Sequence, residues 1–372
     1  MDPTSRCWAQ VDLDQIEKNY LSARRRLPPG CRVIPVLKGN AYGLGALPVA
    51  RLLIGLGAQL LAVATVPEAL EIKREVNAGV LVMGMASLDA QEAIRRDVIL
   101  TAYSPESAWT LSQAADRAGR ACRVHIKVNT GLNRLGFDCQ DLEGIAAAAA
   151  LPGLKVEGIF THLGLHGPER DRAQLAAFQG AVEGLAHQTG TPLLVHALDS
   201  IGLVRYPQQA LGGVRLGAWL YGVHPKDVPP QEDPLALALF ARVAQVFTAP
   251  AGALVGYDDG HPLERTTRIA TLACGYGDGY PRLNGQGWVW LGGGRAPVLG
   301  PVCMDQMMVD VTGLGRVEPG DAAQLLGGPI GIDEYASWQG LNRNEALCRL
   351  TRRTPRLYLR GGKIIHQEGM GL

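Results

Sequence analysis

The chain of 372 residues carries 36 basic and 35 acidic side chains, a formal net charge of +1, with no long run of either sign. That balance argues against a polybasic nucleic-acid binder or a membrane-surface protein and favours a small-molecule partner, while the length implies two domains or one large domain with an appendage. The seven cysteines, Cys7, Cys31, Cys122, Cys139, Cys274, Cys303 and Cys348, are odd in number and include no CxxC pair. This favours reduced thiols over a disulfide framework or a zinc knuckle.

The first eight residues lack the basic-then-apolar pattern of a signal peptide. The most apolar region, Leu52 to Thr65, is too short for a membrane span and is broken by Gly55, Gly57 and Gln59. No membrane segment is expected, and a soluble cytoplasmic protein is. Val11-Asp-Leu-Asp14 followed by Gln15 to Arg26 reads as a capped amphipathic helix. An unbroken apolar run from Val33 to Leu37 then ends in Lys38 and the glycine-rich turn Gly39-Asn-Ala-Tyr42-Gly-Leu-Gly45. A lysine closing a buried strand either snorkels to solvent or is held for chemistry. A desolvated amine beside such a turn suits Schiff-base chemistry with an aldehyde cofactor.

From here a rhythm sets in. Apolar strand candidates end near Lys38, Ala64, Gly84, Ala102, Lys127, Thr161, His196 and Arg215, and helical patterns such as Ala46–Leu56, Pro67–Val76, Ser104–Ala118, Leu142–Ala150 and Arg170–His187 fill most gaps. Strand and helix alternating in this way predict an α/β fold with a (β/α)8 TIM barrel. A doubly wound open sheet is the alternative. The barrel is favoured because no GxGxxG follows the first strand and the chemically distinctive residues recur at the C-terminal ends of several strands.

Near Pro229-Pro-Gln-Glu-Asp-Pro234 the rhythm stops, and short strands divided by turns follow: Ala241–Phe247, Arg268–Ala273, Gly287–Leu291, Ala296–Leu299, Met307–Val311 and Ala322–Leu326, then a helix at Asn342–Leu350. The expected division is a barrel over 9–235 and a mostly-β C-terminal domain over 236–372, with residues 1–8 packing on the latter.

The polar breaks in these runs carry the chemistry. After the fifth strand, Lys127-Val-Asn129-Thr-Gly131-Leu-Asn-Arg134 is suited to gripping an anion, although an arginine there equally pairs with a surface carboxylate. His162 ends the sixth strand as a base, a ring-stacking partner or a hydrogen-bonded core histidine. His166, four residues on, invites a metal reading, but the intervening Leu-Gly-Leu is no helical signature and no carboxylate is close, so no metal is expected. Asp199-Ser200 and Arg215-Leu-Gly217-Ala218 follow strands seven and eight, the usual place for a phosphate in such barrels, or are an N-cap and a packing glycine. In the second domain, glycines surround Tyr276 and Tyr280, and Cys303-Met304-Asp305-Gln306 interrupts an apolar run.

A lysine, arginines, a phosphate nest and a tyrosine form a coherent set for pyridoxal phosphate. Lys38-Gly-Asn-Ala-Tyr42-Gly, Asn129-Thr-Gly-Leu-Asn-Arg134-Leu-Gly, Phe160-Thr-His162, Asp199-Ser200, Val214-Arg215-Leu-Gly217, Gly275-Tyr276-Gly-Asp-Gly-Tyr280 and Val302-Cys-Met304-Asp305-Gln resemble, in order, the motifs of alanine racemases.

The resemblance implies a homodimer in which the barrel of one subunit meets the β domain of the other, sharing each active site. It implies pyridoxal 5'-phosphate linked to Lys38, the base for the D-enantiomer, and Tyr276 of the partner subunit as the base for the L-enantiomer. It further implies Tyr42, Ser200, Gly217 and Ala218 at the phosphate, Arg134 near the ring hydroxyl and the substrate carboxylate, and the Met304 amide at that carboxylate. Arg215 then faces the pyridine nitrogen, His162 joins Arg215 in a chain to the tyrosine, and His196, Lys127 and Asp305 support them. In some members the lysine matching Lys127 is carbamylated.

Asp199 replaces a usual asparagine, Asn133 occupies a variable position, and Arg352 stands where a tyrosine normally lies against the phosphate and lines the substrate pocket. Related racemases that accept serine also vary at that tyrosine, so serine is a candidate substrate beside alanine. A basic amino-acid decarboxylase is disfavoured because Arg215 replaces the acidic partner such enzymes need, and a cofactor carrier because it needs no second base.

Overall fold

A computed structural model of the protein describes residues 5–86, 88–190, 192–224, 234–257 and 260–369. The stretch 229–234, where the strand–helix rhythm stops, therefore lies outside the described residues except for Pro234, as do residues 1–4 of the N-terminal segment.

Eight parallel strands close the barrel: Arg32–Pro35, Leu60–Val63, Gly79–Val82, Leu100–Ala102, Cys122–Asn129, Leu154–Phe160, Leu194–His196 and Gly213–Leu216. The last pairs with the first through Gly213↔Arg32 to Leu216↔Pro35, and bridges Val36↔Ala62 and Leu81↔Ile99 join the remaining gaps. Covered by helices outside and by each other's side chains inside, strands such as Leu60–Val63 are buried at every position. This is why they read as continuous apolar runs rather than alternating ones. The helices between them begin at signals written in the chain. Thr65 and Glu68 form a capping box at Val66–Glu75, and Ser104 caps Pro105–Ala118, which stops at Gly119 with φ 64°. All eight barrel strands end within a few residues of the expected points, and the open-sheet alternative is set aside.

The second domain is a nine-stranded sheet. Its long strand Leu237–Ala249 pairs with Ala322–Leu326 on one side and, past a bulge at Val243–Gln245, with Thr267–Leu272. Met307–Asp310, Gly294–Leu299 and Trp288–Leu291 complete the ring between those two partners, so this part of the sheet is also closed. The strand Cys7–Asp12 lies between Leu237–Ala249 and Arg356–Arg360, which places the start of the chain inside the second sheet. Sequence reading had no strand there, since Asp12 is both its last residue and the N-cap that accepts the Gln15 N–H at 2.9 Å. A helix at Ile332–Ser337 was likewise not expected.

The end of the second domain packs onto the barrel mouth. Arg356, buried, donates from Nε to the Gly43 carbonyl and from its other nitrogens to the carbonyls of Leu350, Thr351 and Thr354. Among the described residues, no helix is long and apolar enough to cross a membrane.

Candidate active site

The barrel's first strand runs into a turn of the wrong hand. Gly39, Asn40, Ala41 and Tyr42 have φ of 63°, 55°, 53° and 55°, a short left-handed coil that only glycine adopts without cost. For the three L-residues the cost is about 1–2 kcal/mol each. Hydrogen bonds hold the coil: Ala41 N–H to Leu37 O at 2.7 Å, Gly39 N–H to Glu68 Oε1 at 2.6 Å, and Ala46 N–H to the Asn40 side chain at 2.7 Å. Gly45, φ 103°, permits the close approach of Tyr358, whose hydroxyl would sit 1.8 Å from any added Cβ.

The turn presents Lys38 and Tyr42 to one cavity of about 490 Å³ at the C-terminal mouth of the barrel. Lys38 is open to solvent in the single chain, yet its amine is hemmed in by protein. Desolvation first, and then the Arg134 cation with a smaller push from Arg215, lower its pKa against the opposing effects of Cys348 and Glu68. Tyr42 is buried, and burial raises its pKa, so its phenol stays protonated as a donor. Its hydroxyl lies where a Cβ on Gly217 would fall, 2.5 Å away, so glycine is required at the eighth strand's end for the two to meet.

Arg215 is the centre of the floor. Its Nη1 lies 2.7 Å from His196 Nδ1 and donates to His196 O at 3.1 Å. Its Nη2 donates to Thr161 O and Ala197 O, both at 2.8 Å, and lies 3.2 Å from His162 Nδ1. A guanidinium only donates. Both histidines must therefore accept at Nδ1 and carry their proton on Nε2. His196 Nε2 then donates to His125 Nδ1 at 2.9 Å, and His162 Nε2 turns toward Asp199 Oδ2 at 3.9 Å. Burial, followed by the charge of Arg215, pushes His162 down to about 2 and His196 well below the usual imidazole range, so both are neutral. Burial lowers Arg215 itself only to about 10, which leaves it cationic at neutral pH. The terminal nitrogens are fully used, and the Nε–H of Arg215 has no partner among the described residues.

Two further basic side chains, Lys127 and Arg134, share the wall. Lys127 is buried, donates to Val128 O at 2.9 Å and lies 5.4 Å from the Phe160 ring centre, paired with no carboxylate among the described residues. Burial, then Arg215 and Arg134, push it down to about 7. Arg215 lies over the same ring at 5.4 Å, and that ring stacks on His196 at 4.8 Å. Arg134, Ser200, Gly217 and Ala218 also line the cavity. Asp199 lines it too, but its Oδ1 is spent on the N–H groups of Ile201 and Gly202 as a helix cap.

Thus Lys38, Tyr42, Lys127, Arg134, His162, Ser200, Arg215, Gly217 and Ala218 meet at one cavity, with His196 directly behind it. Tyr276, Met304, Asp305 and Arg352 do not. Tyr276 and Met304 are 41% and 51% exposed on the second domain, away from this chain's own cavity. Asp305 is paired with Arg353, and Arg352 is exposed on the turn after helix Arg343–Cys348. His166 lines a separate, larger groove of about 1080 Å³ with Arg172, Arg205 and Tyr206, which contains none of the expected site residues. Sequence reading missed Glu68, Asn40, His125 and Asn344, the last a cavity residue from the second domain. Only the Thr65–Glu68 capping box gave a local signal.

The model of the alanine racemase N-terminal domain matches residues 11–225, and that of the C-terminal domain matches residues 236–358. The chain belongs to the alanine racemase family. It is 36% identical to the alanine racemase of Desulforamulus reducens over 95% of this chain and 98% of that one, and 33% identical to that of Methanococcus maripaludis over the same shares. Among solved structures, alanine racemase from Bacillus anthracis with bound L-Ala-P superposes with a TM-score of 0.91 at 29% identity, covering 99% of each chain. The alanine racemase from Bartonella henselae with covalently bound pyridoxal phosphate gives 0.87 at 27% identity, covering 95% of this chain and 100% of that one. Family and fold agree on an N-terminal TIM barrel and a C-terminal β domain.

Proposed function

We propose that the protein is a pyridoxal-phosphate-dependent racemase that interconverts L- and D-alanine in the cytoplasm and supplies D-alanine for peptidoglycan. The observation that carries this is the convergence of a lysine of lowered pKa and a buried, donor-only arginine on one barrel-mouth cavity. The residues fit the cofactor. The Arg215 Nε–H has no partner among the described residues, Tyr42 and Gly217 approach too closely for any side chain between them, and hydroxyls of Tyr42 and Ser200 line the same wall.

When bound, pyridoxal phosphate supplies the electron sink that stabilises the charge left on the substrate carbon. Lys38 holds the cofactor aldehyde through its amine and moves the α-proton of the D-enantiomer. Tyr276 of the partner subunit moves that of the L-enantiomer from the opposite face. Tyr42, Ser200 and the backbone at Gly217 and Ala218 hold the phosphate. Arg134 and the Met304 amide orient the substrate carboxylate, with Lys127, His196 and Asp305 supporting these groups. Arg215 donates to the ring nitrogen without yielding its proton, which keeps that nitrogen unprotonated and disfavours competing decarboxylation. His162 and Arg215 continue as a hydrogen-bonded chain toward the tyrosine. Arg352 stands where the family's tyrosine lies against the phosphate and lines the substrate pocket, and that replacement favours serine as a second substrate.

Exposure of Tyr276 and Met304 in the single chain supports shared sites. Mixing chains carrying Lys38→Ala with chains carrying Tyr276→Phe tests this. A heterodimer of the two has one doubly damaged site and one intact site, so racemisation returns. No recovery from verified heterodimers would overturn the shared-site reading, and full activity of Tyr276→Phe alone would overturn the two-base scheme.

A further inference from the structure

Behind Tyr276 lies a carboxylate that the reaction itself does not use. Asp278 is 1% exposed, two residues from Tyr276 in the same single turn, Tyr276–Asp278. Its Oδ1 receives Arg6 Nη2 at 2.6 Å and Arg353 Nε at 3.1 Å, and its Oδ2 receives Arg6 Nη1 at 3.1 Å and the Gly275 N–H at 3.0 Å. The Sγ atoms of Cys7 and Cys274 lie within 4.8 Å of it, but with both oxygens taken by arginines and an amide the trio is not a metal site. A carboxylate so deep is tolerable only because two guanidinium groups offset its charge.

The arginines extend the reach of this one side chain. Arg353 also holds Asp305 Oδ1 at 2.5 Å, next to Met304, and Arg6 donates to the carbonyls of Ala273 and Asp305. Thr354 Oγ1 donates to the Asp278 carbonyl at 2.8 Å. Gly275 and Gly277 have no room for a side chain, because Cys303 O would lie 2.2 Å from a Cβ on the first and Met304 O 3.0 Å from one on the second. The loops bearing Tyr276 and Met304 are thus pressed together and clamped from beneath.

We infer that Asp278, with Arg6 and Arg353, is a positioning group for Tyr276, so that the N-terminal segment of one chain sets the geometry of a base acting in its partner's barrel. This rests on the two-base reading above. Arg6, ahead of the first strand, does not line the barrel-mouth cavity, and its side chain is 42% exposed. Its contribution reaches the Tyr276 turn through this carboxylate and through the Ala273 and Asp305 carbonyls that it also holds.

Hydrogen exchange at the α-carbon of each enantiomer in D2O separates the two bases. Purified holoenzyme carrying Asp278→Asn, Arg6→Gln or Tyr276→Phe is compared with wild type after normalising to bound cofactor and confirming the dimer. Tyr276→Phe must lose exchange from L-alanine and keep exchange from D-alanine, which Lys38 handles; if it loses neither or both, the two-base reading falls. With that control in hand, Asp278→Asn is expected to lower L-alanine exchange and racemisation by roughly 10- to 100-fold, as a displacement of about 1 Å does, and to leave D-alanine exchange unchanged. Arg6→Gln gives the same asymmetry, smaller in size. Equal loss of both exchanges, or none, in both variants overturns the inference, and Arg6→Gln decides should Asp278→Asn fail to fold.

Discussion

Glu68 accepts the Gly39 N–H at 2.6 Å with one carboxylate oxygen, while the other accepts the N–H groups of Ala64 and Thr65 at 3.0 and 3.1 Å. One side chain thereby caps a helix and fastens the left-handed turn one residue beyond Lys38. Glu68→Ala removes three acceptor contacts and is expected to lower unfolding stability by about 1–3 kcal/mol, read from the urea midpoint. It should also lower kcat, because Lys38 and Tyr42 lose the frame that aims them. Glu68→Gln, which keeps one acceptor oxygen, should fall between the two.

The histidines behind the site predict a pH dependence of stability. His125 is held down to about 4 and His162 to about 2, chiefly by burial, and His196 is held well below its ordinary value. A depressed folded-state pKa means the unfolded chain binds the extra proton first. The stabilisation is therefore complete above about pH 6.5 and is lost as pH falls toward the folded values, at up to about 1.4 kcal/mol per pH unit for each histidine. Denaturant midpoints measured from about pH 7.5 down to about pH 4.5, roughly the imidazole range, should drop steadily. A flat profile there would contradict the neutral network around Arg215.

Lys127, held down to about 7 by burial and then by Arg215 and Arg134, is a neutral amine over much of the physiological range. Only a neutral amine adds carbon dioxide, forming an N–C bond and releasing a proton. The product would place a negative charge near two arginines, Arg134 and Arg215, that form no ion pair with a carboxylate among the described residues. In 13C-labelled bicarbonate the protein should show a carbamate carbon signal that grows as pH rises through about 7 and is absent from Lys127→Arg. Wild-type protein without that signal would leave Lys127 as a buried free amine.

Arg352 supplies the specificity prediction. Arg352→Tyr should shift the ratio of kcat/KM for alanine over serine toward alanine by roughly tenfold, the scale on which small pocket differences act. An unchanged ratio would remove this residue from the pocket.

Legibility from sequence followed the range of the forces involved. The barrel strands declared themselves because each is an apolar run, and several end on a polar group such as Lys38, Lys127, His162 or Arg215, a local signal. Helix starts were legible where a cap is written within four residues, as at Thr65 and Ser104. The bond from Glu68 to Gly39 spans 29 residues and that from Arg6 to Asp278 spans 272, and neither leaves a trace in spacing. Arg352 marks a different boundary. It aligns with a pocket tyrosine of the family, yet it stands exposed on a turn, outside the cavity that Lys38 lines.

The left-handed coil at Gly39–Tyr42 also bears on what substitutions the chain can absorb. Asn40 and Ala41 occupy conformations in which a β-branched side chain is all but forbidden. A saturation library across this segment should therefore be depleted of Val, Ile and Thr at both positions even though neither side chain takes part in proton transfer. Intolerance there would record the handedness of the backbone, and variation would be confined by geometry before any demand of catalysis is felt.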